Sequence, residues 1–101
     1  MKLTDASWLA GLLDGEGSIT LAKPPNINSM RISIANNCMP LLEHVLAVTG
    51  TGTIVKKGKP AQANHAQGYY WQCYADNARS LLRQILPWLI VKREKALTVL
   101  D

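Results

Sequence analysis

The chain has 101 residues, of which 48% are hydrophobic, and a formal net charge of +4. This length suits one domain with a modest core, which we place at residues 1–101. No apolar run approaches the roughly 18 residues that cross a bilayer, so we expect no membrane partner.

The two cysteines, Cys38 and Cys73, are too few for a disulfide scaffold and form no CxxC pair. We therefore expect reduced core thiols in an intracellular protein, in the cytoplasm or an organelle matrix.

The first predicted element is a helix with two glycines on one face. Residues 8–13 place apolar side chains at helical spacing, and Thr4 or Asp5 is expected to cap the helix start. Gly11 and Gly15 are four positions apart and therefore share a face. Each glycine in a helix interior costs about 1 kcal/mol relative to alanine. Close approach of a second helix to this face would offset that cost.

Glu16 follows at the C-terminal end of this helix, between two glycines. The negative end of the helix dipole disfavours a carboxylate there by a few tenths of a kcal/mol or more. A cation such as Mg²⁺ would remove the conflict, because hard cations prefer carboxylate and carbonyl oxygens. The alternative is a solvated acid in a turn.

Two predicted β-hairpins follow. Residues 18–23 and 30–35 alternate apolar and polar side chains, residues 52–57 are rich in β-branched types, and residues 69–74 are dense in aromatics. The polar loop at residues 59–68 is long for a small domain, and long loops are often functional or disordered. The side chains expected to face inward are Ile19, Leu21, Met30, Ile32, Ile34, Tyr69, Trp71 and Cys73.

Three more helices complete the chain. Pro40 is suited to the first turn of the helix between the hairpins. Asp76 or Asn77 is expected to cap the next helix, and Pro87 ends it. Residues 92–100 form a short closing helix that offers Ala96, Leu97 and Leu100 to the core. The predicted order is helix, hairpin, helix, hairpin, helix, helix, which is an α+β fold.

The charged residues are unevenly distributed. No Asp or Glu occurs between Glu16 and Glu43, or between Glu43 and Asp76. If both stretches form one sheet, its surface is positive and free of acids, which suits a phosphate backbone. The alternative is a solvated basic surface with no partner. The basic residues in these stretches are Lys23, Arg31, Lys56, Lys57 and Lys59.

Residues 9–17 read Leu-Ala-Gly-Leu-Leu-Asp-Gly-Glu-Gly. This string resembles the signature of the LAGLIDADG homing endonucleases at every position, if aliphatic and acidic replacements are allowed. The element order is similar to that family's α-β-β-α-β-β-α core with a four-stranded antiparallel saddle sheet. The resemblance covers essentially the whole chain, with a single copy of the motif.

The resemblance implies a function. Single-motif members work as homodimers, and the interface falls on Trp8, Gly11, Leu12 and Gly15. The expected activity is metal-dependent cleavage of both strands of a long, pseudo-palindromic DNA duplex, linked to the mobility of an intron or intein. A small-molecule substrate is not expected.

The resemblance also implies a metal site. Glu16 falls on the acid that binds the catalytic cation, which is Mg²⁺ or another divalent ion such as Mn²⁺ or Ca²⁺. The carbonyl of Gly15 is an expected additional ligand. Asp14 is a further candidate ligand, although the corresponding acid of the family is more structural than catalytic.

Two further catalytic residues follow from the resemblance. Residues 87–92 are similar to the family's Pro-aromatic-Leu-x-x-Lys, so Lys92 is expected to organise the attacking water or stabilise charge at the phosphate. Asn36 falls where the family has Gln or Asn in contact with metal-bound water, and a turn residue before a helix is the alternative. The family's basic residue near the start of the second helix has no counterpart at residues 38–40.

The outward-facing side chains of the sheet and the long loop are expected to read base edges in the major groove. A register error of one residue would invert a strand. The predicted DNA-binding residues are Thr20, Lys23, Ser29, Arg31, Ser33, Thr53, Val55, Lys57, His65, Gln67, Tyr70 and Gln72.

Two alternative functions stay open: a DNA- or RNA-binding module without nuclease activity, like a maturase or transcription factor, and a dimerisation domain with a basic surface.

Overall fold

The structure is a computed structural model that describes residues 1–21, 30–58 and 68–100. Its elements confirm the predicted α+β order, with a short 3₁₀ turn at Leu86–Trp88 before the last helix. None of the described helices is long and apolar enough to cross a bilayer. The elements are α1 (Leu3–Glu16), β1 (Gly17–Leu21), β2 (Met30–Asn36), α2 (Met39–Thr49), β3 (Thr53–Lys56), β4 (Tyr69–Tyr74), α3 (Ala75–Ile85) and α4 (Arg93–Leu100).

The four strands form one antiparallel sheet in the order β1-β2-β4-β3. The second strand of each hairpin is therefore central, and Ile32 and Ile34 of β2 lie opposite Cys73 and Trp71 of β4. These four side chains are buried in the core that the sheet shares with the helices. Because side chains alternate along a strand, the intervening side chains lie on the other face of the sheet, which none of the described helices covers. The other predicted inward residues are buried or packed against the core, namely Ile19, Leu21, Met30 and Tyr69.

One face of α1 lies in this core. Its four members, Ala6, Leu9, Ala10 and Leu13, are buried at a spacing of three and four residues; we call them the packed face of α1. Residues at this spacing lie on one side of a helix, and the four side chains therefore face the sheet and α3 together. The predicted helix over residues 8–13 is therefore confirmed, and Leu9 and Leu13 are its buried leucines.

The predicted cap of α1 is wrong. The helix begins at Leu3, its N-cap residue is Lys2, and no side chain caps it. The N–H of Ala6 already donates to the carbonyl of Lys2 at 2.9 Å. Thr4 and Asp5 therefore lie inside the first turn, where the carboxylate of Asp5 still suits the positive end of the helix dipole.

The predicted cap of α3 is also wrong. Strand β4 passes directly into the helix, with extended Tyr74 as the N-cap residue and no side-chain cap. Ala75 has a φ of 53°, in the left-handed region that non-glycine residues seldom adopt. This abrupt turn starts the helix before Asp76 and Asn77, so neither residue can be its cap.

The closing helix differs from the prediction at one inward position. Ala96 is buried and Leu100 packs against the core, but Leu97 is 48% exposed. Val99 takes part in the packing instead. Residues three and four positions apart share a helix face, so Val99 and Leu100 lie on the side of Ala96 and Leu97 does not.

Both cysteines are free thiols. Cys73 is buried in the core, and burial raises the pKa of its thiol to about 11. Cys38 is exposed at the N-cap position of α2. The expectation of two core thiols is therefore right for Cys73 and wrong for Cys38, because the turn before α2 lies at the surface.

Candidate active site

Glu16 lies at the junction of α1 and β1, where Gly17 begins the strand with no intervening loop. A β-carbon at Gly17 would collide with the side chain of Leu13 and come within 3.1 Å of the Leu13 Cα. A larger residue at position 17 would therefore have to displace the Leu13 side chain and strain the close approach of strand and helix. The junction holds the exposed carboxylate of Glu16 beside the end of β2.

Asn36, the last residue of β2, forms a hydrogen bond with the carboxylate of Glu16. Its Nδ2 donates to Glu16 Oε2 at 2.7 Å. Its Oδ1 accepts the backbone N–H of Cys38 at 2.8 Å, which fixes the orientation of the amide. Among the described residues, nothing donates to Oε1 of Glu16. Two of the three predicted catalytic residues are therefore in direct contact, and one carboxylate oxygen is left for a ligand.

Lys92 reaches the same end of α1 through Asp14. The Nζ of Lys92 donates to the backbone carbonyl of Asp14 at 2.9 Å. The Asp14 carboxylate accepts two backbone N–H groups in return, from Lys92 to Oδ1 at 2.9 Å and from Ile90 to Oδ2 at 2.8 Å. The third predicted catalytic residue is thus tied to the last turn of the motif helix.

The two motif acids have different surroundings. Desolvation raises the pKa of Asp14, but the N–H groups of Ile90, Lys92 and Val91 and the charge of Lys92 outweigh it, so the pKa lies below its ordinary value. Both oxygens of Asp14 already accept hydrogen bonds, whereas one oxygen of Glu16 receives no donor from the described part of the chain. Metal binding by Asp14 stays a prediction, and its contacts favour a role in holding the chain.

The oxygen donors at this helix end fit a hard cation. Glu16 offers a carboxylate oxygen, and the carbonyl of Gly15 belongs to the last turn of α1, where carbonyls lack intrahelical donors. Among the described residues, no group of three or more His, Cys, Asp or Glu side chains could hold a metal. Mg²⁺ commonly keeps several waters and uses one or two carboxylates together with phosphate oxygens. One exposed carboxylate per chain therefore suits a site completed by water, phosphate or a second subunit.

The helix-free face of the sheet, which we call the open sheet face, carries the predicted DNA-binding residues in cross-strand rows. The row nearest Glu16 is Ala35, Tyr70 and Val55; the next is Ser18, Ser33, Gln72 and Thr53; the farthest is Thr20, Arg31 and Tyr74. The predicted alternation is confirmed for all the DNA-binding candidates on the described strands. Lys57 follows β3 and is exposed. Lys23, Ser29, His65 and Gln67 lie outside the described residues.

Three members of these rows were not among the predicted DNA-binding residues. Ser18, Ala35 and Tyr74 lie on the open sheet face at or next to strand ends. The Ser18 hydroxyl is 2.9 Å from that of Ser33, so the two hydroxyls form a pair on this surface. The period-two alternation would have found all three if it had been continued to the strand ends.

Two polar atoms on the open sheet face are buried and have no hydrogen-bond partner within the described part of the chain. They are Nε of Arg31, a donor, and Oε1 of Gln72, an acceptor. The residues are diagonal neighbours, because Arg31 lies opposite Tyr74 and Gln72 opposite Ser33. An unpaired buried polar group costs about 1–3 kcal/mol. A ligand with both acceptors and donors, such as a base edge, would satisfy these atoms.

The predicted dimer interface forms a second face of α1. We call its four residues, Trp8, Gly11, Leu12 and Gly15, the open face of α1. Gly11 and Gly15 are exposed, and a β-carbon at either position would meet no atom within 4 Å. Trp8 and Leu12 are half-buried, and the Trp8 ring lies edge-on to that of exposed His44 on α2, with centroids 4.9 Å apart. This face stays a predicted interface, with α2 along one side.

Comparison with known proteins finds similarity in structure. No protein-family model and no curated protein matches the chain. It is similar to the homing endonuclease I-CvuI in complex with its target in the presence of calcium, with a TM-score of 0.75 and 20% identity over 98% of this chain and 67% of that one. It is also similar to the archaeal intron-encoded homing endonuclease I-Vdi141I complexed with DNA, with a TM-score of 0.71 and 19% identity over 95% of this chain and 64% of that one.

A third similar structure is the LAGLIDADG meganuclease I-CpaMI bound to uncleaved DNA. Its TM-score is 0.65 at 15% identity, and the match covers 88% of this chain and 33% of that one. At such identities the likeness concerns the fold, and the chain spans from a third to two thirds of the length of these structures. The topology agrees with the one that residues 9–17 and the element order predicted. The chain therefore has the fold of the LAGLIDADG homing endonucleases.

Proposed function

We propose that this chain is a metal-dependent, sequence-specific DNA endonuclease that cuts both strands of a long pseudo-palindromic site as a homodimer, as a homing enzyme of a mobile intron or intein. The observation that carries the proposal is the convergence of Glu16, Asn36 and Lys92 on one end of α1, next to the open sheet face. Metal-assisted hydrolysis of a phosphodiester needs oxygen ligands that hold the cation, and an ammonium group nearby adds stabilisation of the negative charge on the phosphate. The known structures of this fold that contain DNA support the same substrate.

Glu16 and the carbonyl of Gly15 would hold the cation, which is Mg²⁺ or another divalent ion such as Mn²⁺ or Ca²⁺. When bound, such an ion supplies polarisation of a phosphoryl oxygen and a lowered pKa for water. Asn36 holds one oxygen of Glu16 and leaves the other for the cation. Lys92 keeps its ammonium group at the helix end, where it stabilises negative charge on the phosphate and orients the attacking water.

The open sheet face would lie in the major groove. Rows of side chains on one face of a strand are roughly 6.7 Å apart, since each residue advances about 3.3–3.4 Å. Base pairs are spaced about 3.4 Å apart along the duplex, so successive rows would reach bases about two pairs apart. The row of Tyr70 would then read bases near the cut, and Arg31 would read bases farther out.

The open face of α1 would join two copies. One chain offers one exposed acid at the helix end, and cleavage of both strands requires two such sites. A twofold axis between two α1 helices would place both Glu16 side chains near the centre of the assembly. The half-sites read by the two sheets would then be related by the same twofold axis.

Selection on DNA tests this function. The purified chain is incubated with a duplex library that carries a randomised site, with Mg²⁺ or with EDTA, and the retained and cut molecules are sequenced. We expect cutting only with the metal, at a pseudo-palindromic consensus. Enrichment without cutting in either condition would favour the binding-module alternative, and no salt-dependent binding at all would favour a dimerisation domain.

Glu16→Gln separates catalysis from binding on the selected site. We expect its cleavage rate to fall on the order of 10³-fold, because the neutral amide holds the cation poorly and the transition state loses electrostatic stabilisation, with affinity for the site largely kept. Glu43→Gln is the matched control, because Glu43 is an exposed acid on α2, on the helical side of the sheet. Full activity of Glu16→Gln would contradict the proposed active site.

A further inference from the structure

We propose that Asp14 is a positioning residue that keeps Lys92 in the active site by fixing the backbone of residues 90–92. The inference rests on the proposed function, in which Lys92 acts at the phosphate. It gives Asp14, the other acid of the motif, a role distinct from that of Glu16. Asp14 acts through the segment that carries the lysine and not through contact with substrate.

The first argument is that this segment has little packing of its own. Leu89 is buried, but Ile90 and Val91 are 83% and 74% exposed. Ala96 on α4 is the next residue along the chain that is fully buried. Side-chain packing therefore does not determine where the backbone of residues 90–92 lies. Two hydrogen bonds to the Asp14 carboxylate, at 2.8 and 2.9 Å, hold this backbone on one side, and the bond from the Ala96 N–H to the Lys92 carbonyl, at 2.9 Å, joins it to α4 on the other.

The second argument is that the backbone carbonyl of Asp14 also accepts a hydrogen bond from the ammonium group of Lys92. Nζ of Lys92 donates to the Asp14 carbonyl at 2.9 Å, at the C-terminal end of α1 where the helix dipole favours a cation. One residue thus holds both the backbone and the ammonium group of Lys92. An ammonium has three N–H donors, so two are left for a phosphate oxygen and a water.

The third argument separates positioning from metal binding. Backbone N–H groups occupy both oxygens of Asp14, while Oε1 of Glu16 receives no donor from the described residues. Loss of Asp14 should therefore displace Lys92 and leave the acid of the metal site in place. A displacement of about 1 Å in a catalytic group can cost on the order of 10²-fold in rate.

A double-mutant cycle tests the inference on the selected DNA site. Asp14→Asn keeps the shape of the side chain but has one oxygen to accept N–H groups, and Asp5→Asn at the other end of α1 is the matched control. We expect Asp14→Asn to lower the single-turnover cleavage rate about 10- to 100-fold and to change DNA affinity in EDTA less than twofold. Asp14→Asn/Lys92→Ala should cleave at the rate of Lys92→Ala alone. If the rate of the double variant fell by the product of the two single losses, the inference would be overturned. Such independent losses are expected if Asp14 only stabilises the fold and does not act through Lys92.

Ile90→Pro tests the hydrogen bond between Ile90 and Asp14 by removing its donor, and it keeps Asp14 intact. It removes the N–H that donates to Oδ2, and the extended backbone of Leu89, with φ −73° and ψ 138°, suits a residue before proline. Ile90→Ala is the control, since it changes only a side chain that is mostly exposed. We expect Ile90→Pro to reproduce the rate loss of Asp14→Asn while Ile90→Ala cleaves normally. Equal rates for the two variants would contradict the inference even if Asp14→Asn failed to fold.

Two measurements without DNA separate this inference from the proposed function. Amide hydrogen exchange at residues 90 and 92 should be slow in the unmodified chain and faster in Asp14→Asn. The NMR signal of the Lys92 ε-carbon should move in Asp14→Asn and stay in place in Asp5→Asn. Unchanged exchange and an unchanged signal would overturn the inference. An unmodified chain that binds DNA without cutting it would overturn the proposed function, and these two signals would still decide the role of Asp14.

Discussion

The packed face and the open face of α1 both consist of apolar and small residues, but the described part of the chain buries the packed face and covers the open face only in part. The packed face lies under the sheet and α3. The open face contains two glycines whose surroundings are empty and two large side chains that are half-buried. Each glycine lowers helix stability by about 1 kcal/mol relative to alanine. The contrast indicates that folding of a single chain uses one face, and that association would use the other.

The largest effect expected from this contrast is on the packed face. Leu13→Ala should lower the free energy of unfolding by about 2–5 kcal/mol, because it leaves a cavity in the core. Leu12→Ala, one residue away on the open face, is the matched control and should cost less than half as much in the separated chain. Urea unfolding at low protein concentration measures both losses. Equal losses would show that the two faces are covered equally.

A bulky residue on the open face should affect association instead of folding. Gly11→Leu would meet the second helix of a dimer, and overpacking costs about 1–3 kcal/mol, so the dissociation constant should rise about tenfold or more. The separated chain should gain up to about 1 kcal/mol, because leucine favours a helix more than glycine does. Sedimentation over a concentration series measures the first change and thermal unfolding the second. Ser80→Leu, at an exposed position of α3, is the control, and an equal effect there would remove the case for this interface.

The smallest expected effect distinguishes two glycines at the same end of α1. Gly17→Ala should lower the free energy of unfolding by about 1–2 kcal/mol, since its β-carbon would push against Leu13. Gly15→Ala should raise it by up to about 1 kcal/mol in the separated chain, because the space around Gly15 is open. Opposite signs in urea unfolding would confirm that the junction, and not the open face, needs glycine for folding. A gain in both variants would contradict the close approach at Gly17.

Sequence periodicity was sufficient for most of the fold. The alternation in the strands correctly assigned Ile32 and Arg31 to opposite faces, and the helical spacing in α4 correctly placed Ala96 and Leu100 against the core. Capping rules failed at α1 and α3. At α3 the reason is clear: the direct passage from β4 through left-handed Ala75 fixed the helix start before Asp76 could cap it.

The sequence by itself determined which residue types recur at which spacing, and hence the order of helices and strands and the motif that ends at Gly17. These are local properties, readable from neighbouring positions. Only the tertiary structure decided that Asn36 holds Glu16 and that Asp14 holds residues 90 and 92, 76 and 78 positions away along the chain. The contact of Asn36 depends on the pairing of β1 with β2, and the contacts of Asp14 depend on how the 3₁₀ turn packs against α1. No periodicity within a short window contains that information, because side chains distant in sequence meet only when the core has formed.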